Sequence, residues 1–386
     1  MVKMMKKAVS CFVLLIIFLF ANCNEERGKI EYMTEDGITV IHNPVRLYSK
    51  GYEFNLKKEY EINLKDQSVL EAGLAGIYDF DIDSEGNVYI VNAGSYGDVI
   101  YKFDSVGKYL FSFCRVGQGP GETGDFPKIR VTDNYEISIA KNMKILFFSA
   151  EGKYLKEVRT KVNFYNALYL ENGNYLIRTV SLPLENDPSF TENKIILYDS
   201  HFNEIKILGR VIHENVNVKK LKGTFHNLVC EVDAGKIFIG NQEEEYEIKV
   251  YDYNGKLVKK IKKDYKKIPV SEEYKKRFMS SFNEDPQIFA FIEKRIYFPD
   301  YLPPFHYFTT DEKGRIYVMT YEKGTSEKEY VFDIFNELGA FVGRKVLNDF
   351  SFPEGLRGKF KNNRFYCVEM AQEGFEKLTV YTIIWE

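Results

Sequence analysis

Six recurrences of one short β pattern restrict this chain more than any other feature of its sequence. The pattern is clearest in Gly76–Glu122, where Tyr78, Phe80 and Ile82 alternate with polar residues and lead into the turn Asp83-Ser84-Glu85-Gly86. Val88–Val91 follows, then Val99–Phe103, an Asp104–Gly107 turn, and Tyr109–Phe113. Short alternating runs joined by tight Asp-to-Gly turns predict an antiparallel meander of four strands. Such a sheet cannot bury both faces alone, so its recurrence decides the architecture.

The pattern returns from about Lys128, around Ala167–Tyr198, around Leu228–Gly255, around Phe305–Val342 and around Lys361–Ile384. One turn recurs near Gly86, Asn134, Gly173, Gly235, Gly314 and Asn363; a second recurs near Gly107, Gly152, Asn203, Gly255 and Gly339. Units of this size and content predict an all-β, six-bladed β-propeller with four-stranded antiparallel blades. The last unit lacks its second turn and hence its outer strand. A ring has to close, and Tyr52–Leu64, alternating apolar and polar residues, is the strand expected to fill the gap. The alternative is an open sandwich or solenoid with a capping last repeat. Between the fourth and fifth units Ser271–Phe278 reads as a helix start, with Ser271 as N-cap and acids in the first turn.

Lys3, Lys6 and Lys7 precede an apolar run from Ala8 to Ala21, which reads as a signal-peptide core and too short a span for a membrane helix. It ends in Phe20-Ala21-Asn22-Cys23 and resembles the lipobox of bacterial lipoproteins, with Phe20 and Asn22 departing from the usual residues. The expected organisation is a lipoprotein-type signal over 1–23, a tether over 24–36 and the propeller over 37–386, lipidated at Cys23 and lying in the bacterial cell envelope, facing the periplasm or the exterior.

Composition excludes several classes of function. Hydrophobic residues make up 45% of the chain and aromatics 16%, which suits a strand-rich core. The formal charge of −3 gives no field for nucleic acid. Cys114, Cys230 and Cys367 are too few and too scattered for a disulfide framework, and read as buried small apolar residues.

Lys102-Phe103-Asp104, Gly107-Lys108 and Gly117-Gln118-Gly119-Pro120-Gly121-Glu122 together resemble the six-bladed propeller lipoproteins of bacterial envelopes, relatives of the NHL-repeat propellers. The approach Pro299–Phe305 and the helical detour at Ser271 are similar too, so the likeness covers about Gly37 to Glu386. The segment Phe113–Val116, where that family more often has a Gly, departs from it. The resemblance implies the fold and an envelope location, and no reaction.

Candidate sites follow. Arg115 with Gly117, Gly119, Gly121 and Glu122 forms either an anion-binding nest or a tight crossing between blades, and the crossing is the preferred reading. Of the five histidines, His226 and His306, near the start of their units, are the best placed to face a central channel, and a hydrogen-bonded structural role is the preferred reading for each. No histidine spacing, Cys/His spacing or nucleophile motif assigns a metal site or catalytic residue. The dense run Lys256–Lys267 reads as a solvated edge strand guarded by lysines. The function expected is a binding or scaffold module for an envelope protein or a glycan, held at the membrane by lipid on Cys23 and needing no cofactor. The alternative is a metal-dependent hydrolase or lyase, with calcium in the channel.

Overall fold

The computed structural model describes residues 27–386 apart from 48–51, 95–96, 133, 135, 142, 180–181, 216, 218–219, 225–226, 284, 324–328, 348–357 and 372–373. Cys23 and its signal segment lie outside the described residues, as does His226.

The strands form a six-bladed β-propeller. Blade 1 uses Ile77–Ile82, Val88–Asn92, Asp98–Phe103 and Tyr109–Arg115, in that order from the axis outward. Blade 2 runs from Lys128 to Arg159, blade 3 from Phe164 to Glu214, blade 4 from Leu228 to Lys263 and blade 5 from Tyr307 to Leu347. Blade 6 takes three strands from Gly358–Trp385, and its fourth is Phe54–Asn63, which runs antiparallel to Glu376–Trp385. The expected closing strand is therefore in place, with Lys377 opposite Asn63 and Trp385 opposite Phe54.

The recurring turns owe their persistence to one hydrogen-bond set. Asp104 Oδ1 accepts from the amides of Val106 (3.1 Å) and Lys108 (2.8 Å). Asp252 repeats this with Asn254 and Lys256, and Asn336 with Leu338 and Ala340. A short acceptor side chain thus caps the turn, and a following glycine such as Gly107 (φ +85°) takes the left-handed conformation. In blades 1 and 5 the first turn adds a tyrosine clamp, Tyr89 to Asp83 and Tyr317 to Asp311.

Packing explains why the middle strands carry continuous apolar runs. Six hydrophobic clusters fill the six interfaces between neighbouring blades, including the one between blades 6 and 1. Val88–Asn92 is buried along its whole length because a blade covers each of its faces. Cys114 and Cys367 are buried and Cys230 half-buried, all three free thiols, and burial pushes the Cys114 thiol up to about 12.

Two features depart from expectation. Ile38–Asn43 pairs in parallel with Leu257–Lys263, the outer strand of blade 4, and Glu31–Glu35 folds back on it as a hairpin. Part of the stretch read as tether is therefore strand. The lysine run is accordingly no bare edge. Lys263 is fully buried against Asp333, and Lys260 meets Glu35 of the hairpin at 3.3 Å. The helical detour holds two helices, α2 (Glu272–Ser280), capped by Ser271, and α3 (Pro286–Glu293), capped by Asp285; a short helix α1 (Gln67–Ala72) precedes blade 1.

Strand direction sorts the loops by face. Both families of tight turns lie on one face, the turn face. The connections between second and third strands, and those between blades, lie on the opposite, crossover face.

Candidate functional site

The innermost strands put charge on the propeller axis. Asp79 and Asp81 come from blade 1, Lys128 and Arg130 from blade 2, Glu231 and Asp233 from blade 4, and Lys359 and Lys361 from blade 6. Each pair is spaced by two, so both members project from the same side of their strand.

Several of these groups lace the blades together. Asp81 takes Lys359 Nζ at 2.7 Å and the Val131 amide at 2.7 Å, joining blades 6, 1 and 2. Arg130 reaches the Tyr169 carbonyl (3.2 Å), the Val232 carbonyl (3.0 Å) and Glu171 (3.3 Å), joining blades 2, 3 and 4. Lys128 lies 3.7 Å from Asp79. Burial alone would raise the pKa of Asp81, but Lys359 and Lys361 outweigh it and hold the carboxyl below its ordinary range. Burial likewise opposes the charge on Lys359, and Asp81 and Asp79 reverse the effect and raise it.

Glu231, Asp233 and Lys361 are different. Among the described residues they make no such ties between blades, and with Asp81, Arg130, Lys359, Thr309 and Thr310 they line a cavity of about 50 Å³ at the turn-face end of the axis. No side chain of the described residues donates a hydrogen bond to Glu231; Asp233 accepts only the Ala234 amide, at 2.9 Å. Burial pushes Glu231 up to about 7, against the pull of Lys359, and Asp233 up to about 6, against Lys361 and Arg130. The hydroxyl oxygen of Thr310, whose residue is only 3% exposed, has no hydrogen-bond partner among the described residues, and neither has Glu171 Oε2 on the cavity wall. An unmet buried polar atom costs about 1–3 kcal/mol, so this end of the axis favours a polar occupant, water or ligand.

The residues singled out in sequence do not gather here. In the glycine segment the Glu122 carboxylate turns inward and accepts the Gly119 amide at 2.8 Å, while Gly117 donates to the Thr123 carbonyl. A Cβ at Gly117 would fall 2.1 Å from Glu122 Oε2, so the side chain fills the hollow of its own loop. Arg115 points to solvent, 3.4 Å from Asp98. His306 opens the inner strand of blade 5 on the crossover side, its ring 5.2 Å from that of Tyr321. Burial holds its pKa down to about 4, and its Nδ1 has no partner among the described residues. Among the described residues no three His, Cys, Asp or Glu side chains are placed to hold a metal ion, and no helix is long and apolar enough to cross a membrane.

The axial charges are what sequence reading missed. Their signal is the alternation Asp79/Asp81, Lys128/Arg130, Glu231/Asp233 and Lys359/Lys361 on the first strand of a repeat, where polar residues face the axis instead of bulk solvent.

Residues 74–228 match the DUF5128 family, described as a 6-bladed beta-propeller. No curated protein matches the chain. Among solved structures, a candidate exported protein of Bacteroides fragilis is 13% identical with a TM-score of 0.53, over 89% of this chain and 99% of that one. More distant are a gluconolactonase of Xanthomonas campestris (8% identical, TM-score 0.41, 86% and 97% covered) and BamB of Moraxella catarrhalis (12%, 0.29, 85% and 98%). The chain is thus a six-bladed β-propeller, and its likeness to the Bacteroides fragilis protein is one of fold.

Proposed function

We propose that this propeller is exported, anchored by lipid on Cys23, and binds an envelope glycan at the turn-face end of its axis without turning it over. The carrying observation is the trio Glu231, Asp233 and Lys361, two acceptors and a donor with no side-chain hydrogen bonds among the described residues, on the wall of a small polar cavity. Sugar hydroxyls both donate and accept, and such a mixed set meets them where an apolar pocket would not. The apolar run ending at Cys23, together with the likeness to a protein described as a candidate for export, supports the location.

The test is a screen of envelope oligosaccharides against the purified full chain and against Lys361→Ala and Glu231→Gln. Binding by the wild type, weakened about tenfold or more in either variant, is the expected result. Equal binding by wild type and variants, or none by any, contradicts the reading; cross-linking of the turn face to an envelope protein instead would make that protein the ligand.

One observation favours a second reading, a hydrolase or lyase. The Glu231 carboxyl titrates near neutrality, which suits a general acid or base. Asp81 is already paired with Lys359 and Glu171 with Arg130, and what Glu231 offers in this reading is proton transfer.

A further inference from the structure

The amino-terminal strands and the helical insertion share one face. Ile38–Asn43 runs parallel to Leu257–Lys263 and so ends on the crossover face, where the Asp264 amide donates to the Asn43 carbonyl at 2.9 Å. Arg27–Gly28 pairs with Arg46–Leu47 just beyond, so the described chain enters on that face. Residues 264–306 connect blade 4 to blade 5 across the same face, and Ile296–Tyr297 there pairs with Leu221–Lys222 of the preceding crossing.

Within that insertion α3 is an unusual surface helix. Its sequence, PQIFAFIE, is mostly apolar, yet only Ile292 is buried. Ile288 is 49% exposed and Phe291 36%, with Tyr301 at 48% close behind in the chain. The Arg295 guanidinium lies 4.0 Å over the Phe291 ring and Lys267 5.8 Å from that of Tyr301. Long cationic side chains beside half-exposed aromatics belong at a boundary between water and hydrocarbon, where the charge stays wet and the ring does not.

We infer that α3 seats the crossover face on the lipid bilayer, with Ile288 and Phe291 entering the acyl boundary. The inference rests on the lipidation of Cys23. Four residue steps separate Cys23 from Arg27, a reach of at most about 14 Å, so an acylated chain holds its crossover face against the membrane. Residues 264–306 contain seven Lys or Arg and seven Asp or Glu, so attraction to anionic lipid contributes little and the contact is apolar. The seat turns the axial cavity, at the other end of the ring, away from the membrane.

The single tryptophan supplies an internal control. Trp385 ends the third strand of blade 6 on the turn face, 4.6 Å from the Arg315 guanidinium of the blade 5 turn. The experiment places the full chain, unsubstituted or carrying Phe291→Trp, in vesicles of phosphatidylethanolamine and phosphatidylglycerol with and without brominated acyl chains. The mass of the purified protein reports the lipid on Cys23 separately. The expected result is bromine quenching of the introduced indole and none of Trp385, unchanged by salt. In the non-acylated Cys23→Ser chain, Ile288→Glu with Phe291→Glu should cut residual vesicle binding about tenfold; both side chains are exposed, so folding is spared. No quenching at position 291, or stronger quenching of Trp385, overturns the inference. Quenching at 291 in a chain that carries no lipid upholds the seat and refutes the anchor.

Discussion

Lys263 and Asp333 form an ion pair in which neither side chain exposes any surface, with Nζ 3.5 Å from Oδ2. Asp333 also takes Arg344 Nε at 2.6 Å and the Tyr246 hydroxyl at 3.1 Å, and Lys263 donates to the Val45 carbonyl at 3.2 Å. The pair therefore joins blade 4, blade 5 and the amino-terminal segment. Burial pulls Lys263 below its ordinary pKa even with the carboxylate beside it, which identifies desolvation as the dominant cost.

Removing one partner from such a pair strands the other. Asp333→Ala should cost about 3–5 kcal/mol, read as a fall in the urea midpoint. Lys263→Met should cost less, because Arg344 and Tyr246 still satisfy Asp333. Equal losses in the two variants would show that the pair does not act this way.

Ring closure gives a second expectation. Deleting 52–64 removes Phe54, Ile62 and Leu64 from the interfaces on either side of blade 6 and uncovers the edge of Glu376–Trp385. At about 2 kcal/mol for each buried side chain the Tm should fall by roughly 10 °C or more. An unchanged Tm would contradict closure by this strand.

Stability should also respond to pH through Glu231. Its folded pKa, about 7, lies above the unfolded value, so the folded state binds more protons between the two. The contribution is complete below about pH 4 and is lost as pH rises through about 7. Glu231→Gln should accordingly raise the Tm at pH 8 relative to wild type and leave it nearly unchanged at pH 4. A Tm difference between the two proteins that stays constant over this range would show that Glu231 titrates normally.

Chelation is a fourth test. The axial carboxylates are balanced by Lys359, Lys361 and Arg130 rather than poised together for a cation. Dialysis against EDTA should leave the Tm of the full chain where it was. Stoichiometric calcium in the untreated protein, with a Tm drop on its removal, would move the hydrolase or lyase reading to the front.

How legible all this was in the sequence depends on whether a feature is written locally. The turns were legible because Asp104, Asp252 and Asn336 bond to amides two and four residues on, a relation contained in one short stretch. The closing strand was legible as a deficit, a last unit one strand short. The parallel docking of Ile38–Asn43 on blade 4 was not, since it joins segments more than two hundred residues apart and leaves no local mark. That same docking turned the supposed edge lysines into covered ones. The axial charges were hidden because alternation with period two looks alike whether the polar side meets solvent or a closed axis. The glycine segment misled in the opposite way. Its spare amides suggested a ligand, and Glu122 of the same loop takes one of them.

The most direct test of the account is the fate of a glycan held by the full chain. An oligosaccharide that binds the wild type and not Lys361→Ala would be incubated with excess protein for many binding lifetimes, released, and weighed by mass spectrometry. The expected result is recovery of the intact oligosaccharide, with Glu231→Gln altering only affinity. Recovery of shortened or unsaturated fragments, absent when Glu231 is replaced, would contradict it and make the propeller an enzyme.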